Sequence, residues 1–148
     1  MANVNNLLDT KGNAVWSVQT TTTVEQALQL MADKNIGAVL VMEGDQIVGI
    51  YSERDYARQA AEADSLLLDR PVSNYMTHSV YFVSPRQTVE ECMALMTSRH
   101  IRHLPVLEGE TRLVGLISIG DVVKQLLAEK ENAIQDLENY IQGRAYSG

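Results

Sequence analysis

Cysteine is almost missing from this chain: Cys92 stands alone among 148 residues. No internal disulfide can form, and a cysteine-rich zinc site is excluded. That usage suits a reducing compartment, so a cytoplasmic location is expected. Aromatic residues are scarce as well, and no apolar run approaches the ~20 residues that a membrane span needs. The N-terminus carries no basic segment followed by an apolar stretch, so a soluble protein without an export signal is expected. Cations are few: 12 Lys and Arg face 19 Asp and Glu, a formal net charge of −7. Such a field repels phosphate backbones and anionic lipid, which disfavours nucleic acid and membrane as partners. Also missing are the phosphate loop G-x-x-x-x-G-K-[ST], G-x-G-x-x-G opening a helix, H-E-x-x-H and G-x-S-x-G. His78, His100 and His103 show no metal-ligand spacing, and no nucleophile, base and orienter come together. Neither a metal site nor an enzyme is expected.

What the chain has is a repeat. The stretch Thr23–Gln59 returns, with one inserted residue, as Thr88–Gln125, and more than a third of the aligned positions are identical. At this length the chain can bury one shared core, whereas each half of roughly 60 to 70 residues would be marginal alone. The halves are therefore expected to pack on each other. Ala14 to Val18 is β-prone. Thr23 then precedes Val24, Ala27, Leu28 and Met31 at helical spacing, and Gln26 completes a capping box that Thr88 and Glu91 repeat. Ala38 to Met42, the turn Glu43-Gly44-Asp45, and Ile47 to Tyr51 read as a hairpin, matched by Leu104 to Leu107, Glu108-Gly109-Glu110, and Leu113 to Ile117. A helix follows each hairpin, from Ser52 to about Ala61 and from Ser118 onward. The expected fold class is α/β (α+β), built as β-α-β-β-α twice. Residues 1–13 form an N-terminal arm, 14–63 the first repeat, 64–79 an ordered connector, 80–128 the second repeat, and 129–148 a C-terminal helix extension. Its helix should stop near Gln142, before Gly143. Val123, Leu127, Lys130, Ile134, Leu137 and Ile141 alternate spacings of four and three. That stripe fits either packing on its own body or a dimer contact. Cys92, Met31, Met42, Met93 and Met96 read as core filler.

Both copies close their second strand with the same punctuation, Gly49-Ile50-Tyr51-Ser52-Glu53-Arg54-Asp55 and Gly115-Leu116-Ile117-Ser118-Ile119-Gly120-Asp121. Two jobs fit S-x-x-D at a helix start. In one, Ser52 with Asp55, and Ser118 with Asp121, only cap free backbone N–H groups. In the other, the helix N-terminus presents donors and a positive dipole end to an anion, while the carboxylate accepts a ribose diol and the glycine lets a ligand approach the backbone.

These residues resemble the cystathionine-β-synthase (CBS) domain family, and the chain from about Ala14 to Leu127 looks like a tandem pair of such domains, a Bateman module. The resemblance implies two repeats packed with pseudo-twofold symmetry and adenosine nucleotides bound in clefts between them. Carried over, it implies Gly49, Ser52 and Asp55 for one cleft and Gly115, Ser118 and Asp121 for the other. Ile101-Arg102-His103-Leu104 resembles a stretch whose basic residues reach nucleotide phosphates, making Arg102 and His103 phosphate candidates. The first copy has Ile36-Gly37-Ala38-Val39 there, so the clefts are not equivalent. Arg54 is a further phosphate candidate, matched by Gly120 in the second copy. Solvated surface cations are the alternative for all three. Thr20 and Ser84, with Ile36, Ala38 and Pro105, fall where the family lines its adenine pocket; bonding to nearby backbone fits Thr20 and Ser84 equally. Lys11 could reach a phosphate from the arm, though no spacing places it. The expected function is a free-standing regulatory module that binds adenine nucleotide and modulates an unidentified protein according to energy or redox state. AMP is the first choice, with ATP, NAD and S-adenosylmethionine as alternatives. A homodimer is expected. The rival reading is a ligand-independent dimerisation scaffold, and a nucleotide-processing enzyme ranks last.

Overall fold

The computed structural model describes residues 1–62 and 66–141. The expected helix stop at Gln142 and Gly143, the last residue of the first repeat and the first two of the connector lie outside them. In chain order the elements are α1 (Val4–Lys11), β1 (Ser17–Gln19), α2 (Val24–Lys34), β2 (Ala38–Glu43), β3 (Gln46–Ser52), α3 (Glu53–Ala60), α4 (Val89–Arg99), β4 (His103–Glu108), β5 (Arg112–Ser118) and α5 (Ile119–Ile141). They fall into two units: Ala14–Tyr81, and a second made of Met1–Asn13 with the chain from Phe82 onward.

In the first unit, Thr23 and Gln26 form the expected capping box at the start of α2, and Asn35 ends that helix at φ 54°. The chain then folds back as the β2–β3 hairpin, whose turn is set by Gly44 at φ 63°. Strand β1 adds parallel to β2, giving the order β1-β2-β3. It lies slightly later than its β-prone composition predicts, because the ladder begins only where β2 supplies a donor: the Leu40 N–H bonds the Trp16 carbonyl at 3.2 Å. The core gathers Val18, Val24, Ala27, Met31, Val39, Val41 and Tyr51 with Leu67, Val72 and Met76, which follow α3.

The second unit repeats this plan with one strand reduced. Thr88 and Glu91 box the start of α4, and β4–β5 forms the second hairpin, irregular between Val106 and Leu107 where its counterpart is irregular between Val41 and Met42. The expected first strand of this repeat shrinks to a single parallel bridge, Val83 to Val106. Proline explains the loss. Leu40 is replaced by Pro105, which has no N–H to give to the Tyr81 carbonyl, so the ladder cannot extend backward as it does in the first unit.

Each unit has a core of its own, because it recruits a segment from outside its repeat. Residues after α3 and residues of the N-terminal arm do the same job. Val24 N–H bonds the Arg70 carbonyl and Val72 N–H the Thr22 carbonyl; Val89 N–H bonds the Ala2 carbonyl and Val4 N–H the Gln87 carbonyl. Helix α1, capped by Asn3 and ended by Gly12, thereby inserts Val4, Leu7 and Leu8 into the core of Val83, Val89, Cys92, Met96, Leu104, Val106, Ile117 and Val122.

Candidate functional site

Each doubled motif sits where a hairpin strand runs straight into a helix. Ser52 ends β3 with extended backbone (φ −126°, ψ 162°), so its side chain hangs over the first turn of α3. The Asp55 N–H donates to Ser52 Oγ at 3.1 Å. In return Asp55 Oδ2 accepts the Ser52 N–H at 3.0 Å and the Ser52 hydroxyl at 2.9 Å. In the second unit the Asp121 N–H donates to Ser118 Oγ at 3.2 Å, and Asp121 Oδ2 accepts the Ser118 N–H at 2.8 Å. The capping job is thus performed in both copies. It engages Oδ2 alone; among the described residues nothing donates to Oδ1 of Asp55 or Asp121.

The two motifs differ in their third donor. Lys11, the last residue of α1, places Nζ 2.6 Å from Asp121 Oδ2 and 2.5 Å from the Leu116 carbonyl. Burial by itself would raise the Asp121 pKa, but hydrogen bonds from Lys11 and Ser118, with the lysine charge, outweigh it and hold the carboxyl below its usual value. In the first unit the carbonyl matching Leu116 is that of Ile50, and its donor is the backbone N–H of Thr77 at 2.9 Å. A neutral backbone donor in one unit is therefore replaced by a lysine ammonium in the other. The Lys11 to Asp121 contact spans 110 residues of chain. The sequence shows the cation, but nothing in it shows the partner.

Gly49 and Gly115 turn out to serve the fold. A Cβ on Gly49 would run into Met76 Sδ, and one on Gly115 would lie 2.8 Å from Leu8 Cδ2. In both units a recruited segment packs against the motif glycine.

Ala38 and His103 lie opposite Ser52 and Ser118 in their hairpins, so the structure does bring these candidates beside the motif serines. The residues just before them close the same corner, the Gly37 carbonyl accepting the Glu53 N–H and the Arg102 carbonyl the Ile119 N–H. The Arg102 side chain is exposed, as is Arg54 in the first turn of α3. Ile36 packs half-buried on the first core. Pro105 is buried opposite Leu116, its carbonyl accepting the Val83 N–H. Ser84 is used locally: its Oγ accepts the Arg86 N–H at 3.3 Å. The Thr20 carbonyl accepts the Ser73 N–H. Sequence reasoning missed Tyr51, which is fully buried and donates through its hydroxyl to Gln59, which in turn donates to the Tyr75 carbonyl. Cys92 is buried in the second core, and burial beside Glu91 pushes its thiol up to about 11, which suits a packing residue. Among the described residues no cluster fit for a metal occurs, and no helix is long and apolar enough to cross a membrane.

Comparison with known proteins places this geometry. The profile of the CBS domain matches twice, at residues 12–62 and 72–128. The chain is 36% identical over 137 residues to the mitochondrial CBS domain-containing protein CBSX3 of Arabidopsis thaliana, covering 89% of this chain and 66% of that one. Among solved structures, a protein with CBS domains from Burkholderia ambifaria is 45% identical with a TM-score of 0.78, covering 86% of this chain and 95% of its own. A CBS domain protein from Pyrobaculum aerophilum complexed with AMP aligns at a TM-score of 0.71 and 24% identity, over 85% of this chain and 98% of its own, a likeness of fold alone.

Proposed function

The chain belongs to the CBS-domain family, and from that premise we propose that it is a regulatory module that binds an adenine nucleotide at its two S-x-x-D motifs. One observation carries the reading. In each unit a helix N-terminus lies beside a half-buried aspartate whose cap engages only Oδ2, leaving Oδ1 to accept from a ribose diol. AMP is the first ligand, because its small phosphate charge suits a surface with few cations. ATP, NAD and S-adenosylmethionine are the alternatives. The module works in the cytoplasm as a homodimer and shifts the activity of a second protein, which requires the ligand to bind two conformations, or free and partner-bound forms, with different affinity.

Thermal unfolding against AMP, ADP, ATP, NAD, NADH and S-adenosylmethionine tests this. A ligand at 100 times its dissociation constant adds about 2.7 kcal/mol per site, a rise of roughly 5 to 10 °C for a chain of this size. The rise should appear for an adenine nucleotide and vanish in the Asp55→Ala/Asp121→Ala double variant. The complete capping boxes favour a second reading, a ligand-independent scaffold. It expects no rise with any nucleotide, and only the ~0.5 to 2 kcal/mol of a lost cap from each substitution.

A further inference from the structure

We propose that Lys11 makes the second motif selective for phosphorylated nucleosides: its ammonium serves as counter-ion to Asp121 until a ligand arrives, and then passes to the ligand's phosphate. This rests on the nucleotide reading above and adds a residue outside both copies of the motif.

Three observations carry it. First, the fold does not need a charge at this place. In the first unit the carbonyl equivalent to that of Leu116 is satisfied by the Thr77 backbone N–H, a neutral and fixed donor. The second unit uses a charged donor on a flexible four-carbon stem. Second, helix α1 has anchors other than Lys11. Helix α1 is held by the buried side chains of Val4, Leu7 and Leu8 and ended by the Gly12 N–H on the Leu8 carbonyl. The Lys11 side chain, 32% exposed, adds the bonds of its ammonium to Asp121 and the Leu116 carbonyl. Third, the ammonium sits on the group that a ribose would use. Asp121 Oδ2 takes both Lys11 Nζ and the Ser118 N–H. A ribose diol that spans the carboxylate donates one hydroxyl to the open Oδ1 and the other to Oδ2, where it takes the place of Lys11.

A cation displaced from a partly buried carboxylate needs another anion close by. In a nucleoside monophosphate the 5′-phosphate lies one sugar ring away from the 2′ and 3′ hydroxyls, within the swing of a lysine stem. AMP therefore satisfies both members of the pair. Adenosine offers the diol only, competes with Lys11 for Asp121 and leaves the ammonium uncompensated. In the first unit, among the described residues, no cation bonds Asp55, so this selection belongs to the second motif.

The test is calorimetric titration of the full chain with AMP and with adenosine, the first motif being silenced by Asp55→Asn. In that background AMP should bind one per chain, about ten- to hundredfold tighter than adenosine, the size of one charge-assisted hydrogen bond. Lys11→Met should collapse the preference to within about threefold, by weakening AMP and strengthening adenosine. Lys11→Arg should keep it. An unchanged preference in Lys11→Met overturns the proposal and reduces Lys11 to an anchor for α1. So does loss of adenosine together with AMP in both Lys11→Met and Lys11→Gln, which makes the lysine a support for the site's fold. Failure of the underlying reading looks different: no nucleotide binds the unsubstituted chain, or adding Asp121→Asn leaves binding intact, and the proposal falls with it.

Discussion

Removing a carboxylate from water raises its pKa, yet Asp121 is held low by two neighbours, Lys11 and Ser118. The sign of the consequence follows. A group with a depressed folded-state pKa stabilises the native state above its unfolded value, near the ordinary 3.8, and loses that contribution as pH falls through the lower folded value. The pair is partly exposed, with side chains 32% and 26% accessible, which limits its worth to about 1 kcal/mol. Lys11→Met should therefore unfold a few degrees below the unsubstituted chain at neutral pH, about 3 °C. The gap should close as the pH is taken below the ordinary 3.8 and through the lower folded-state value of Asp121. A gap that persists unchanged in acid would mean that Lys11 stabilises the fold through its methylene stem and not through the aspartate charge.

At the scale of elements, the outer part of α5 is exposed among the described residues. It runs 23 residues, but its buried residue is Val122, near its start. Val123, Leu127, Ile134, Leu137 and Ile141 are exposed along one stripe, interrupted by Lys130. A helical extension of this length is marginal in water without a partner for its apolar face. The alternating spacing of four and three is that of a coiled-coil seam, which the homodimer proposed above would use. Deleting residues 131–148 should lower the mass in analytical ultracentrifugation from dimer to monomer while leaving the thermal transition of the body in place. An unchanged mass removes the extension from self-association. The periodicity that marks this helix was legible in the sequence, as were both capping boxes and both hairpins, because each is written in residues close together along the chain: three or four apart in the helices, and as two apolar runs around a glycine turn in the hairpins. The reduced first strand of the second unit was not read from the sequence: Pro105 explains it only once its counterpart Leu40 is seen donating to Trp16. The role of α1 was not legible. Its last residue, Lys11, bonds β5 and the start of α5 more than 100 residues away, and no local pattern encodes such contacts.

For the whole molecule, the duplication foretold two copies of one motif, and the structure makes them unequal in their surroundings: Thr77 against Lys11 as third-party donor, and Ala38 against His103 beside the motif serine. Both sit in a chain of net charge −7. An incoming phosphate thus feels two opposed influences, a few placed cations at short range and an excess of carboxylates at long range. Salt separates them. As ionic strength rises from about 0.01 M to about 1 M, the screening length falls from about 30 Å to about 3 Å, which removes the distant repulsion but leaves a contact pair largely intact. ATP carries more negative charge than AMP, so the long-range field penalises it more. Magnesium-free titrations should therefore show AMP bound more tightly than ATP at low salt, with the ratio narrowing as salt is added. A ratio that widens instead would show that the placed cations dominate, and that the preferred ligand is the more highly phosphorylated one.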